Sequence, residues 1–148
     1  MKKVISKSNL RFFLIPILFL FIFVRCDEDE IPFPNVSVYA IISVDTQLKN
    51  VLPGNYEEVD GHGVGGLIIY RIDNSTFLAF DKACTHEASR SCIIIDDAQM
   101  YECPCCESRF WMVNSEDIVG TVYQGPAIYP LKQYNCYFDG ANTITVSN

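Results

Sequence analysis

Val64-Gly65-Gly66-Leu67-Ile68-Ile69-Tyr70-Arg71-Ile72 runs into Asp73-Asn74-Ser75 and on into Thr76-Phe77-Leu78-Ala79-Phe80-Asp81. Two runs rich in β-branched and aromatic residues flank three residues that favour turns, which is the composition of a β-hairpin. The same pattern repeats outward. Residues 36–44 form a β-rich, partly alternating run. Residues 92–95 and 100–102 form a short pair around the polar Asp96-Asp97, read as a turn. Residues 131–138 and 143–146 flank Asp139-Gly140-Ala141-Asn142, a second hairpin signal. Past the first 25 residues no segment of a dozen residues carries a helical period, and there is no internal repeat. Many short strands at close spacing predict an all-β antiparallel sandwich or barrel.

The length of 148 residues is that of one domain. Hydrophobic residues make up 49% and charged residues 20%, which is globular composition. The net charge is −7, with 11 basic and 18 acidic residues. All 18 acids and only 6 bases lie from Cys26 onward, so that part carries −12. So acidic a surface argues against nucleic acid as a partner. Gly61-His62-Gly63-Val64-Gly65-Gly66 superficially suggests a phosphate loop, but it precedes a strand instead of opening a helix. It reads as a turn and bulge, with His62 exposed.

At the N-terminus four basic residues precede an apolar run, residues 12–24, too short to span a bilayer and suited to a secretory signal. Cys26 follows, then Asp27-Glu28-Asp29-Glu30. This arrangement resembles a bacterial lipoprotein signal, with Cys26 the lipidated residue and residues 1–25 the signal peptide. The acidic run is similar to an export signal toward the outer surface. Arg25 departs from the small residue usual before such a cysteine. The alternatives are an uncleaved anchor or plain secretion with Cys26 free. Each places the domain in the cell envelope or beyond, where disulfides form; the lipoprotein reading favours the outer membrane. Residues 26–35, acidic and then Pro-rich, read as a tether, and residues 36–148 as the domain.

Seven cysteines need a chemical explanation. Cys84-Thr85-His86 forms one cluster. Cys103-Pro104-Cys105-Cys106-Glu107-Ser108-Arg109-Phe110 forms another. Each follows a predicted strand, and 16 residues separate His86 from Cys103, enough for a strand pair between adjacent loops. Thiolate and imidazole together suit zinc or iron–sulfur chemistry. The residues point to a four-ligand site of Cys84, His86, Cys103 and one of Cys105 or Cys106.

These two clusters resemble a Rieske [2Fe–2S] domain, which uses Cys-x-His in one loop and Cys-x-x-His in the other. Gly125-Pro126-Ala127 followed by Pro130-Leu131 is similar to the family's proline loop over the cluster. The similarity covers roughly residues 61–148. It implies an antiparallel β fold with two cluster-binding loops, and Cys84, His86, Cys103 and Cys106 as ligands. The family's second histidine falls at Cys106 and its glycine at Glu107. The ligand set thus becomes three cysteines and one histidine, with Cys84 and Cys103 on the inner iron and His86 and Cys106 on the outer. An anionic thiolate in place of a neutral imidazole lowers the expected potential, and so does Phe110, which cannot donate the hydroxyl of a tyrosine. Ser108 is the implied donor to a bridging sulfide, and Gly125 and Pro126 belong to the covering loop. The resemblance also implies a disulfide between Cys92 and Cys105. Cys136 is left as a buried structural thiol.

The implied function is one-electron transfer at a membrane surface, without catalysis of its own, to a redox partner bearing a basic patch. The competing readings are a cluster-less structural or recognition module held by disulfides, and a Cys3His zinc site. Glu87, Glu107 and Arg109 read as solvated charges beside the loops, and Trp111 as packing.

Overall fold

The structure is a computed structural model that describes residues 33–89, 92–96 and 100–148. The signal peptide 1–25, Cys26, most of the tether and Asp97 lie outside the described residues. Among the described residues there is no helix, and ten strands form two antiparallel sheets. They are β1 Tyr39–Ser43, β2 Tyr56–Val59, β3 Leu67–Arg71, β4 Phe77–Asp81, β5 Ile95–Asp96, β6 Met100–Glu102, β7 Arg109–Trp111, β8 Val122–Gln124, β9 Gln133–Phe138 and β10 Thr143–Ser147. The larger sheet runs β1-β10-β9-β4-β3-β2 and the smaller β5-β6-β7-β8.

The β3–β4 hairpin is the centre of the fold. Its residues are buried almost without interruption, because it is covered on both faces. Leu67, Ile69 and Ala79 face Ala40, Ile42, Ile144 and Val146, so the larger sheet curls over itself. Ile68, Tyr70, Leu78 and Phe80 point the other way, onto Tyr101, Phe110 and Met112 of the smaller sheet. Each fully buried large side chain here is worth about 1.5–3 kcal/mol. Cys84 and Cys103 belong to this second core, so the candidate site grows out of packed hydrophobic structure.

The 73–75 turn forms as its composition predicts. The Asp73 carboxylate accepts the N–H groups of Ser75 and Thr76 at 2.7 and 2.8 Å, and both of their hydroxyls. The Ser75 N–H and then the Thr76 N–H hold this carboxyl below its ordinary value of 3.8. A depressed value stabilises the fold above pH 4, and that contribution is lost as pH falls through the folded value. Asp73→Asn is therefore expected to melt below the parent at pH 6. The gap should close between pH 5 and pH 2; thermal melts across that range check it.

Three strands escaped the sequence reading. β2 carries the exposed Glu57 and Glu58 and lies at a sheet edge, and β7 and β8 are three residues each. Short edge strands lack the apolar alternation on which such reading depends. Corrections are local. Asp96 is not in a turn but ends β5, paired with Tyr101. His62 is half-buried and not exposed, because the glycine loop folds inward. Arg109 is half-buried, with its Nε donating to Glu102 at 2.7 Å, and not merely solvated. Cys136 is half-buried on β9 and not fully inside.

Candidate metal centre

Three loops converge at one end of the smaller sheet. The first leaves β4 and is closed at its base like a ladder. Ile94 N–H donates to Lys82 C=O at 2.9 Å, Ala83 bridges Ile93, and Cys84 N–H donates to Cys92 C=O at 3.1 Å. The second joins β6 to β7. Cys103 N–H donates to Ser108 C=O, and Glu107 N–H to Cys103 C=O, each at 2.8 Å. Glu107 takes φ 60°, the left-handed region that glycine adopts at no cost. The third contains a cis Gly125–Pro126 bond and is tied to both others. Its Ala127 N–H donates to Ser108 Oγ at 2.8 Å, and its Tyr129 C=O accepts from Thr85 Oγ1 at 2.8 Å.

The sulfurs of Cys84, Cys103 and Cys106 all lie within 4.8 Å of one another. Cys84 Sγ and Cys106 Sγ are 3.7 Å apart. Cys84 and Cys103 are fully buried and Cys106 half-buried. His86 is exposed, in the same loop as Cys84, and is not part of that three-sulfur group. Cys92 and Cys105 form a disulfide, with Cα atoms 5.7 Å apart, that links the first loop to the second. A bridge closing a loop of this size contributes about 3 kcal/mol in the chain-entropy picture. Of the two candidates that sequence alone left open, Cys106 thus faces Cys84 and Cys103, and Cys105 faces Cys92. Glu87 Oε2 lies 3.2 Å from Cys92 Sγ.

The three thiols are electrically unlike. Burial pushes Cys84 up to about 12, against the N–H groups of Glu87 and His86 that bond its sulfur. Cys106 is held below the ordinary thiol value. Burial raises it, but the hydroxyl and backbone N–H of Ser108 and the neighbouring thiols outweigh that. Ser108 is fully buried; its oxygen accepts Ala127 N–H and lies 3.1 Å from Cys106 Sγ. Its hydroxyl proton is free to turn to the sulfur when Cys106 is a thiolate. Gly125 and Pro126 are exposed in the third loop.

Behind the loops stands a polar network that sequence reading did not find. Buried Tyr101, two residues before Cys103, donates to Glu58 Oε1 at 2.9 Å, and Lys82 pairs with the same carboxylate. Asp81 is fully buried and accepts from Val64, Gly65 and Ala83 N–H and from the Tyr134 hydroxyl, at 2.7 to 2.9 Å. The glycines around it are dictated by space. A Cβ on Gly63 would stand 2.2 Å from Asp81 Oδ2, and one on Gly65 2.5 Å from Ala83 N. The one available signal was an Asp ending an otherwise apolar strand. Trp111 is half-buried and packs edge-on against Tyr123 at 4.5 Å between ring centres.

Fold and site together define an antiparallel β domain that presents a thiol-lined, disulfide-braced cup. No protein-family model matches the chain, and no curated protein is similar to it. Solved structures are similar to it, among them the following three. The first belongs to a complex of reduced oxygenase and oxidized ferredoxin in carbazole 1,9a-dioxygenase, at 20% identity and a TM-score of 0.45, covering 74% of this chain and 93% of that one. The second is the ferredoxin of carbazole 1,9a-dioxygenase from Nocardioides aromaticivorans, at 23% and 0.41, covering 75% and 94%. The third is a ferredoxin of Sphingomonas yanoikuyae, at 21% and 0.43, covering 69% and 93%.

Proposed function

We propose that this chain is a Rieske-like iron–sulfur protein that carries one electron at a time, tethered to the cell envelope through Cys26. The observation that carries the reading is the convergence of Cys84, Cys103 and Cys106, three sulfurs within 4.8 Å, two of them fully buried, on loops joined by a disulfide. Thiolates are the ordinary ligands of such clusters, so the donor set fits. Cys84 and Cys103 would hold the inner iron of a [2Fe–2S] cluster, and His86 and Cys106 the outer. When bound, the cluster supplies reversible one-electron chemistry. The chain's own residues do the rest. The N–H groups of His86 and Glu87 bond the Cys84 sulfur, Ser108 bonds Cys106, and the third loop holds Ser108 and Thr85 in place through Ala127 and Tyr129. The exposed His86 is the point nearest a partner, and the exposed Glu87 and Glu107 favour one with a basic patch.

A single metal ion has one observation in its favour. Four thiolates or imidazoles around zinc, with metal–sulfur bonds near 2.3 Å, place neighbouring sulfurs roughly 3.8 Å apart. Cys84 and Cys106 stand at 3.7 Å. One experiment separates the readings. Full-length protein purified without oxygen is expected to be coloured, to hold about two iron and two acid-labile sulfide per chain, and to give a paramagnetic resonance signal once reduced. Zinc without sulfide supports the single-ion site, and a colourless preparation without metal rejects both.

A further inference from the structure

β1 is an edge strand with an open side. Val44 N–H donates to Asn142 C=O at 2.8 Å, so the even-numbered residues of this segment bond toward β10. Alternation in an antiparallel ladder then turns the N–H and C=O groups of Tyr39, Ile41 and Ser43 outward. Ser43 is already closed. Its N–H donates to Gln47 Oε1, and its C=O accepts from Gln47 and Leu48. The backbone groups of Tyr39 and Ile41 have no partner among the described residues.

Proteins guard such edges with charge, proline or a bulge. The opposite edge, β2, carries Glu57 and Glu58. β1 reads Tyr-Ala-Ile-Ile-Ser and has none of these. Tyr39 and Ile41 are 66% and 63% exposed. The register sets them beside Ser147 and Thr145 of β10, and beyond these Asn135 and Tyr137 of β9. With Ser43, Thr143 and Gln133 this face presents nine strand positions without a charge, with the exposed Asp139 at its margin opposite Thr143, on a chain of −7.

We propose that β1 pairs with β1 of a second copy, antiparallel, about a twofold axis through Ala40. That register sets Tyr39 opposite Ile41 of the second copy, and Ile41 opposite its Tyr39. Four hydrogen bonds result, and they use every open group of both strands. An axis through Ile41 would instead set Tyr39 against Ser43, whose groups are taken. Each Tyr ring gains an aliphatic cross-strand neighbour, and Ala40, the smallest side chain of the strand, meets its own copy at the axis. A second β1 is a strand whose open groups match these one for one, and neither strand brings a like charge into the pairing. The inference is independent of the cysteine site.

The test uses the full-length chain in neutral detergent. Sedimentation is expected to give twice the chain mass found by mass spectrometry, and Ile41→Lys, at an exposed position, to halve it while the far-ultraviolet circular dichroism of the folded chain stays unchanged. A mixture of Tyr39→Cys and Ile41→Cys chains should form a 39–41 disulfide, found by peptide mass spectrometry. Directly opposed hydrogen-bonded residues have Cα atoms about 5.5 Å apart, within disulfide reach. Neither variant alone should cross-link at its new cysteine. A wild-type chain that sediments as a monomer overturns the proposal, whether its edge stays bare or takes a foreign strand. So does a dimer that Ile41→Lys leaves intact, or a 41–41 cross-link.

Discussion

Asp81→Ala is expected to remove a large share of the stability of the fold. The carboxylate is fully buried and accepts four hydrogen bonds, three from backbone N–H groups and one from Tyr134. Alanine removes every acceptor and leaves four donors without a partner: the Ala83 N–H and Tyr134 hydroxyl, which are buried, and the Val64 and Gly65 N–H groups, which are partly so. Each buried orphan costs about 1–3 kcal/mol and each partly buried one less, so the sum is about 4 kcal/mol, against a whole-domain stability of roughly 5–15 kcal/mol. The melting temperature should fall by roughly 10 °C or more. Water entering the space left behind offsets part of this cost, because the glycine loop lines an open pocket. Asp81→Asn should fall between the two, since an amide offers one acceptor oxygen and turns two of its own donors toward groups that also donate. Denaturant midpoints for the three proteins check the order. Equal midpoints for wild type and alanine would mean the carboxylate is not the anchor described here. The damage should also reach the site, because the bond from Ala83 N–H fixes the residue just before Cys84.

How much of this was legible beforehand follows from what each feature is made of. The β3–β4 hairpin, the 139–142 turn and the strands around them are written in composition, since turn residues and β-branched runs act locally. Their observed bounds are a few residues narrower than the runs that predict them: β1 begins at Tyr39 rather than at residue 36, and β3 at Leu67 rather than 64. The apolar runs continue past the strands into packed loops. β2, β7 and β8 were invisible for the opposite reason. They are defined by whom they pair with, and Tyr-Glu-Glu-Val has no apolar face of its own. The cysteine loops could be found because spacing within a loop is a local property. Which of Cys105 and Cys106 faces the other two thiols is not local. It depends on Glu107 adopting a left-handed backbone and on Ser108 bonding the third loop, and the residues alone left it open. Apart from the local bond to Ala83, the Asp81 and Tyr101–Glu58–Lys82 networks join residues 16 to 53 positions apart, beyond any windowed pattern.

Cys106→His is expected to raise the reduction potential of the anaerobically purified protein by on the order of 100 mV, and to move its spectrum toward that of centres with two imidazole ligands. The sign follows from charge alone. Imidazole is neutral where thiolate carries a full negative charge, so the variant takes up an electron against one less charge. The environment sharpens the effect. The site sits on a buried core, where a unit charge is poorly screened, and Cys106 is the thiol whose anion the protein stabilises, through the hydroxyl and backbone N–H of Ser108. A larger ring must also fit, and Cys106 is half-buried at the rim of the cup, while Cys84 and Cys103 are enclosed, so it is the one of the three positions with room to grow. Cys103→His, at a fully buried position, serves as the contrast and should lose the cluster outright. Iron content measured beside the potential keeps the outcomes apart. Raised potential with two iron retained identifies Cys106 as a ligand to the outer iron. Unchanged potential and spectrum would remove Cys106 from the ligand set and leave its contact with Cys84 a matter of packing. Loss of iron in Cys106→His alone would mean that the three-sulfur cup itself is what the metal requires, as a single-ion site would.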